Sequence, residues 1–232
     1  MRAHVIESFG LDKLALVSRP SVPLGPHGVR VAVGAVSLNY RDLLTVDGAY
    51  NPRQKLPLVP CSDAAGVVTA IGEHVTRFAV GDRVMTLFAQ KWLAGRPTTE
   101  KLRTTLGGPL DGVLAEEIAL SEEGLVRVPD ALSFAEASTL PCAALTAWSA
   151  LEQAGVTSGD TVLVQGTGGV SVFALQLAKL RGATVVVTSK SDDKLARARA
   201  LGADHGINYA TTPEWGKAAA TYAGGDGIDC VV

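Results

Sequence analysis

The chain has 232 residues, a hydrophobic fraction of 47% and a formal net charge of -2, which suits one large or two ordinary globular domains. Basic residues (21) and acidic residues (23) nearly balance and aromatic residues are only 5%, which disfavours nucleic-acid binding. No apolar run reaches the length of a membrane span and the N-terminus lacks a signal-peptide core, so we expect a cytoplasmic protein with no membrane partner.

The first part of the chain is predicted to be rich in β-strands. Apolar residues recur in short alternating runs at 29–33, 66–71 and 82–86, separated by turn residues such as Gly72 and Gly107-Gly108. Short strands at this spacing are typical of a β-barrel or sandwich. We therefore predict a β-rich domain over 1–129 and a second domain over 130–232, which opens with one long helix, residues 134–153, capped by Ser133.

A glycine turn follows the next strand. The apolar run 161–165 leads directly into Gly166, Thr167, Gly168, Gly169, Val170 and Ser171. Gly166 permits a tight turn, Gly168 allows phosphates to approach the backbone, and the N–H groups from Gly169 onward open a helix. The pattern predicts a dinucleotide site, although Ser171 replaces the third glycine of G-x-G-x-x-G and an ordinary glycine turn would look similar.

Strands and helices alternate after this turn. The pattern predicts helices at 172–180, from the N-cap Ser191 to the close at Leu201-Gly202, and at 213–222, with strands at 184–188, 206–209 and 228–232. Alternation of this kind predicts a parallel, doubly wound Rossmann sheet. About four of its roughly six strands are found, so we expect an incomplete sheet in which 228–232 is an interior strand.

Four motifs carry a resemblance to a known family. Residues 71–84, IGEHVTRFAVGDRV, resemble the V-G-x-x-V-x-x-F-x-x-G-D-x-V signature of medium-chain dehydrogenases/reductases, and residues 39–42, 140–148 and 201–209 match other family segments. The chain is identified as a member of that superfamily, in its alcohol dehydrogenase-like and quinone oxidoreductase branch. This resemblance implies a GroES-like substrate domain before the Rossmann domain, a small-molecule substrate and a homodimer when full length.

The resemblance bears on zinc. Metal-dependent members hold Zn²⁺ with cysteine and histidine ligands, and the three ligand positions align with Asn39, Ser62 and Cys142. Only Cys142 is a soft ligand, and no cysteine lies between residues 90 and 112, where the structural zinc lobe would lie. We therefore expect no metal, and we expect Cys142 to be a small buried residue on the long helix.

Without metal, catalysis must rest on positioning and hydrogen bonds. The resemblance implies that Asn39 and Tyr50 face the nicotinamide and the substrate, and that Asn39, Tyr40 and Thr146 contact the cofactor with the glycine turn. Tyr50 is alternatively a plain loop aromatic beside Pro52. Residues 88–110 shape the substrate pocket or form a solvated loop, and the sequence leaves both open.

The end of the second strand predicts the cofactor. An NAD enzyme usually places Asp or Glu there, whereas this chain has Thr188, Ser189, Lys190 and Ser191. Ser189, Lys190 and Lys194 are predicted to bind a 2′-phosphate, and Tyr209 matches a tyrosine of the phosphate pocket in the resembling reductases. NADP(H) is therefore expected over NAD(H); a plain capped turn is the alternative, and Asp192 or Asp193 would favour NADH if either pointed at the ribose.

The sequence thus predicts a zinc-independent NAD(P)H-dependent oxidoreductase acting on a quinone, an enone or another carbonyl compound. Two alternatives stay open: a zinc-dependent alcohol dehydrogenase, and a non-catalytic NADPH-binding protein.

Overall fold

The structure, a computed structural model, describes residues 1–223 and 227–232. The chain divides into two compact units, Met1–Cys142 and Ala143–Val232, and the domain boundary expected near residue 129 stays a prediction. The predicted fold class is confirmed, because an antiparallel β unit precedes a parallel α/β unit. No helix within the described ranges is long and apolar enough to cross a membrane.

The first unit is built on a five-stranded antiparallel sheet in the order β6-β3-β4-β5-β7, beside a β1-β2 hairpin. The strands are β1 (Arg2–Ile6), β2 (Leu14–Ser18), β3 (Gly28–Ser37), β4 (Asp63–Ile71), β5 (Arg83–Thr86), β6 (Glu117–Ser121) and β7 (Leu125–Arg127). The predicted runs 29–33 and 66–71 lie in β3 and β4, and residues 83–86 of the third run form β5. β3 and β4 approach so closely that a Cβ at Gly66 would lie 2.0 Å from the Ala32 carbonyl oxygen, so glycine is required there.

Three short helices complete this unit: α1 (Tyr40–Val46), α2 (Thr99–Leu102) and α3 (Phe134–Ala137). The prediction of one long helix over 134–153 is wrong. A π-helical turn (Leu140–Ala144) follows α3, and α4 (Leu145–Gln153) is a separate helix. Pro141 lacks the N–H that a continuous α-helix needs at that position, and the Cys142 N–H is bonded to Asp63 instead (2.9 Å).

The second unit is a four-stranded parallel sheet in the order β10-β9-β8-β11. Its elements after α4 are β8 (Thr161–Gln165), α5 (Gly169–Leu180), β9 (Thr184–Ser189), α6 (Asp192–Ala200), β10 (His205–Asn208), α7 (Trp215–Thr221) and β11 (Cys230–Val231). Strand β11 is shorter than predicted, and among the described strands it pairs in parallel with β8. The expectation that it is an interior strand of the complete sheet stays a prediction.

Helices cover both faces of this sheet because alternate strand residues point in opposite directions. Val162 and Val185 pack in one core with residues of α4, α5 and α6. Leu163 and Val186 pack in another core with Ala219 of α7. The second unit is therefore doubly wound, as the alternating pattern predicts.

Candidate functional site

The glycine turn joins β8 to the N-terminus of α5. Gly166 has φ +83°, a conformation that glycine adopts without strain, and Gly168 is the extended N-cap residue of α5. A Cβ at either position would meet no heavy atom within 4 Å. Because the first N–H groups of a helix have no intrahelical partners, the open space at this turn fits the phosphates of a dinucleotide.

Two hydroxyl groups hold the turn in place. Ser171 Oγ, at the position of the missing third glycine, donates to the Gln165 carbonyl (3.0 Å). Thr188 at the end of β9 is 4% exposed, and its Oγ1 accepts from the Gly166 N–H (3.2 Å). The sequence analysis did not predict that Thr188 holds the glycine turn. A hydroxyl residue near the end of the strand that pairs with β8 was the feature that could have indicated it.

The candidate 2′-phosphate residues gather beyond the end of β9. Ser189 is 4% exposed, and its Oγ accepts from the Ser191 N–H (3.3 Å). Lys190 and Lys194 are exposed. Tyr209 follows β10, its N–H donates to the Ser189 carbonyl (3.1 Å), and its side chain is exposed. The structure thus places Tyr209 beside Ser189, with the two lysines in solvent nearby in the chain.

A carboxylate close to this cluster is already bonded. Asn208 Nδ2 at the end of β10 donates to Asp192 Oδ1 (2.9 Å). Asp192 and Asp193 lie in the first turn of α6, where the helix dipole stabilises negative charge. The Asp192 carboxylate therefore has a local structural role, tying α6 to β10.

In the first unit, the three positions aligned with metal ligands converge on Asp63. This carboxylate is fully buried and accepts from Ser62 Oγ (2.5 Å) and from the Cys142 N–H (2.9 Å). Burial raises the pKa of Asp63, while Ser62, Asn39 and the Cys142 N–H act to lower it. The Asn39 amide is near enough to Asp63 to affect its pKa, but within the described residues its buried Nδ2 makes no hydrogen bond of good geometry.

A second buried carboxylate caps α1. The Asn39 N–H donates to Asp42 Oδ2 (2.8 Å), and burial raises the pKa of Asp42 although this bond, Arg41 and Cys61 act to lower it. Burial also raises the pKa of the Cys61 thiol, and the negative charges of Asp42 and Asp63 raise it further. Asp42 and Asp63 thus each accept a hydrogen bond from a backbone N–H, which is a structural role.

The donor set around Asp63 does not fit zinc. Zn²⁺ sites use cysteine, histidine and carboxylate ligands, whereas the aligned positions supply an amide, a thiol and the Ser62 hydroxyl, which donates to Asp63. Across residues 1–223 and 227–232, no group of three or more His, Cys, Asp or Glu side chains is arranged to hold a metal ion. Cys142 is half-buried in the π-helical turn, not on a long helix as predicted.

The remaining predicted residues lie at the surface. Tyr40 is the first residue of α1 and is 76% exposed, and Tyr50 follows α1 with 53% exposure. Thr146 is exposed in the first turn of α4, in the second unit. Sequence reasoning missed Arg41, whose guanidinium contacts the ring of Tyr50. A basic residue in the first turn of a helix opposes the dipole, and that mismatch was the available signal.

Two family models match the chain. The alcohol dehydrogenase GroES-like domain matches residues 25–130, and the zinc-binding dehydrogenase model matches residues 169–232. Among curated relatives, the chain is 46% identical to a zinc-type alcohol dehydrogenase-like protein of Schizosaccharomyces pombe, over 90% of this chain and 61% of the relative. It is 37% identical to the 2-methylene-furan-3-one reductase of Solanum lycopersicum, over 90% of this chain and 52% of that enzyme. The chain therefore spans only about half to two-thirds of these relatives.

Solved structures match over most or all of this chain. A Sinorhizobium meliloti 1021 protein assigned as an alcohol dehydrogenase is 48% identical, with a TM-score of 0.93 over 100% of this chain and 69% of that one. An NAD-dependent alcohol dehydrogenase is 40% identical, with a TM-score of 0.89 over 100% and 70%. The quinone oxidoreductase from Coxiella burnetii is 33% identical, with a TM-score of 0.76 over 91% and 63%.

Proposed function

This chain belongs to the medium-chain dehydrogenase/reductase superfamily, and we propose that it works in a zinc-independent, NADPH-dependent oxidoreductase. The acceptor of the hydride is a quinone, an enone or another carbonyl compound. The observation that carries the proposal is the open glycine turn at the N-terminus of α5, beside a β9 end that has no carboxylate.

The second unit supplies the cofactor site. The N–H groups of the first turn of α5, from Gly169 and Val170 onward, bind the pyrophosphate, and Thr188 keeps Gly166 in the geometry that leaves the space open. When bound, the dinucleotide supplies the hydride at its nicotinamide ring. Lys190 and Lys194 supply positive charge for a 2′-phosphate, and the nearby Asp192 carboxylate accepts from Asn208 at the end of β10.

The first unit supplies groups for the hydride acceptor. The Tyr50 side chain is more than half exposed, so its hydroxyl is available to donate a hydrogen bond to the oxygen that gains charge during reduction. Asn39 contributes from the start of α1, where the bond from its N–H to Asp42 fixes its backbone. Its Nδ2 is buried and makes no hydrogen bond of good geometry within the described residues, so it is a donor available beside Asp63.

Zinc independence rests on the Asp63 cluster. Asp63 organises the three positions that would otherwise hold a metal, by accepting hydrogen bonds from Ser62 and from the Cys142 backbone. A hydroxyl that donates to a carboxylate is committed to a hydrogen bond and is a poor zinc ligand. The zinc-type name of the fission-yeast relative makes a zinc-dependent alcohol dehydrogenase the competing function.

The test is steady-state oxidation of NADPH and NADH with a quinone, an enone and an aldehyde, with and without EDTA. We expect turnover in EDTA and a higher kcat/KM with NADPH. Lys194→Ala is expected to lower kcat/KM with NADPH about two- to fivefold, because an exposed ion pair contributes up to about 1 kcal/mol, and to leave NADH unaffected. Lys217→Ala is the matched control, because α7 covers the opposite face of the sheet from α6.

Three outcomes contradict the proposal in different ways. Turnover that disappears in EDTA and returns with Zn²⁺ supports the zinc-dependent dehydrogenase. A preference for NADH, or an equal effect of Lys194→Ala on both cofactors, removes the assigned phosphate site. Tight NADPH binding with no turnover of any acceptor supports a non-catalytic binding protein.

A further inference from the structure

A buried arginine lies beneath the exposed Tyr50 ring. Arg41 is in the first turn of α1, and its side chain is only 10% exposed. The nearest carboxylate oxygen, Asp42 Oδ1, is 3.8 Å from its Nη1, so no close bidentate ion pair accounts for its burial. Other contacts must therefore compensate for removing this cation from water.

Aromatic rings and backbone carbonyls provide those contacts. The guanidinium carbon lies 4.9 Å from the ring centroid of Tyr50 and 4.7 Å from that of Phe88, both within cation–π distance. Nη1 donates to the Leu106 carbonyl (3.0 Å) and Nη2 to the Gly108 carbonyl (3.3 Å). One side chain thus joins α1, the Tyr50 loop and both ends of the 88–110 segment.

The geometry depends on a planar fork of donors. Two nitrogens of Arg41 reach two carbonyls while its flat face contacts aromatic rings, an arrangement that the single ammonium of lysine does not reproduce. Thr105 Oγ1 also donates to the Gly108 carbonyl (2.6 Å), which fixes the loop end that Arg41 binds. Arg41 Nε is buried without a partner in the described residues, a cost that the other contacts offset.

We infer that Arg41 is a positioning residue that holds the Tyr50 ring against the 88–110 segment, so that ring and segment form one wall of the acceptor site. This inference rests on the proposed function, in which Tyr50 contacts the acceptor. It assigns the 88–110 segment to the pocket rather than to a solvated loop. Arg41 itself is not assigned to contact substrate.

The experiment combines kinetics with hydrogen–deuterium exchange on the wild-type protein, Arg41→Met, Arg41→Lys, Tyr50→Leu and the Arg41→Met/Tyr50→Leu double variant. Freeing an ordered side chain costs about 0.5–1.5 kcal/mol when it must be ordered again on binding, which corresponds to about a two- to tenfold rise in the acceptor KM. We expect that rise in Arg41→Met with kcat within about twofold of wild type. Tyr50→Leu should raise KM similarly and also lower kcat, because it removes the hydroxyl assigned to the oxygen that gains charge. The KM of the double variant should be no higher than that of the more impaired single variant.

Arg83→Met is the matched control. Arg83 also contacts an aromatic ring, Phe134 at 4.9 Å, and donates to backbone carbonyls, including that of Asp130 at 3.3 Å. It is expected to reduce stability without changing the acceptor KM. Arg41→Lys is expected to behave like Arg41→Met, because the ammonium of lysine keeps the charge but cannot bind both carbonyls and contact both rings at once.

Hydrogen exchange separates this inference from the proposed function. In Arg41→Met, peptides covering residues 44–52 and 88–110 should exchange faster together, whether or not an acceptor has been identified. Unchanged exchange in either peptide, a KM restored by lysine, or multiplicative effects of the two single mutations would overturn the inference. Absence of turnover by the wild-type protein refutes the proposed function, whereas coupled exchange then still supports the Arg41 contacts.

Discussion

Replacing Gly168 with alanine is expected to weaken cofactor binding without weakening the fold. Gly168 has φ -77° and ψ 178°, which any residue adopts, and an added Cβ would meet no heavy atom within 4 Å. The methyl group therefore causes no clash within the protein. It enters the open space at the turn, where the phosphates of the cofactor would approach the backbone.

The expected energies can be worked out from this geometry. Alanine is a poorer N-cap than glycine by about 0.5–1 kcal/mol, but it restricts the unfolded chain and gains about 0.4–1 kcal/mol, so the free energy of unfolding should change by less than about 0.5 kcal/mol. Losing one charge-assisted hydrogen bond to a phosphate costs about 1.5–3 kcal/mol, which is about a 10- to 150-fold rise in the Kd for NADPH.

Two further glycine variants calibrate the measurement. Gly166→Ala forces a Cβ at φ +83° and should destabilise the fold by about 1–2 kcal/mol. Gly216→Ala, at an exposed position of α7 with no atom near its added Cβ, should stabilise the fold by about 0.4–1 kcal/mol and leave binding unchanged. Calorimetric titration with NADPH and chemical denaturation measure both quantities. A Kd for Gly168→Ala within about threefold of wild type would refute the assignment of this turn. A fall in the free energy of unfolding as large as the loss of binding energy would refute it too.

Three further predictions concern the first unit. The purified protein should contain no stoichiometric zinc and stay active in a chelator, whereas about one zinc per chain with activity lost on chelation would contradict the Asp63 argument. Asp63→Asn should lower the free energy of unfolding by about 1.5–3 kcal/mol in chemical denaturation, because an amide cannot accept from both Ser62 and the Cys142 N–H as the carboxylate does; an unchanged midpoint would show that these bonds carry little energy. His27 and two backbone N–H groups lower the pKa of Glu122 from 4.5 to about 2, so its carboxylate contributes stability above pH 4.5 that is lost as the pH falls toward 2. Glu122→Gln should therefore lower the Tm at pH 7, with the gap to wild type closing below pH 4.5, and a gap independent of pH would contradict this assignment.

Local sequence determined much of the second unit. Three local features were enough to predict its elements: the β-branched runs, the glycine turn and the cap at Ser191. Each depends only on residues close together in the chain, and each element lies near its predicted position. The clear local failure was the helix over 134–153. Its apolar spacing is compatible with a continuous helix, but Pro141 removes one N–H, and the next N–H, that of Cys142, is bonded to a carboxylate 79 residues away.

Only the tertiary structure decided how the polar residues pair. The resemblance aligned Asn39, Ser62 and Cys142 with one set of ligand positions, but no local pattern indicates that the Asp63 carboxylate accepts from the Cys142 N–H, 79 residues away. The contacts of Arg41 with Phe88 and with the carbonyl of Gly108 likewise bring distant segments together. Periodicity and capping describe interactions over three or four residues, whereas buried polar groups take whichever partner the packed fold brings within hydrogen-bond distance. The sequence therefore determines which residue types are available, and the packing of sheet, helix and loop determines which of them share a site.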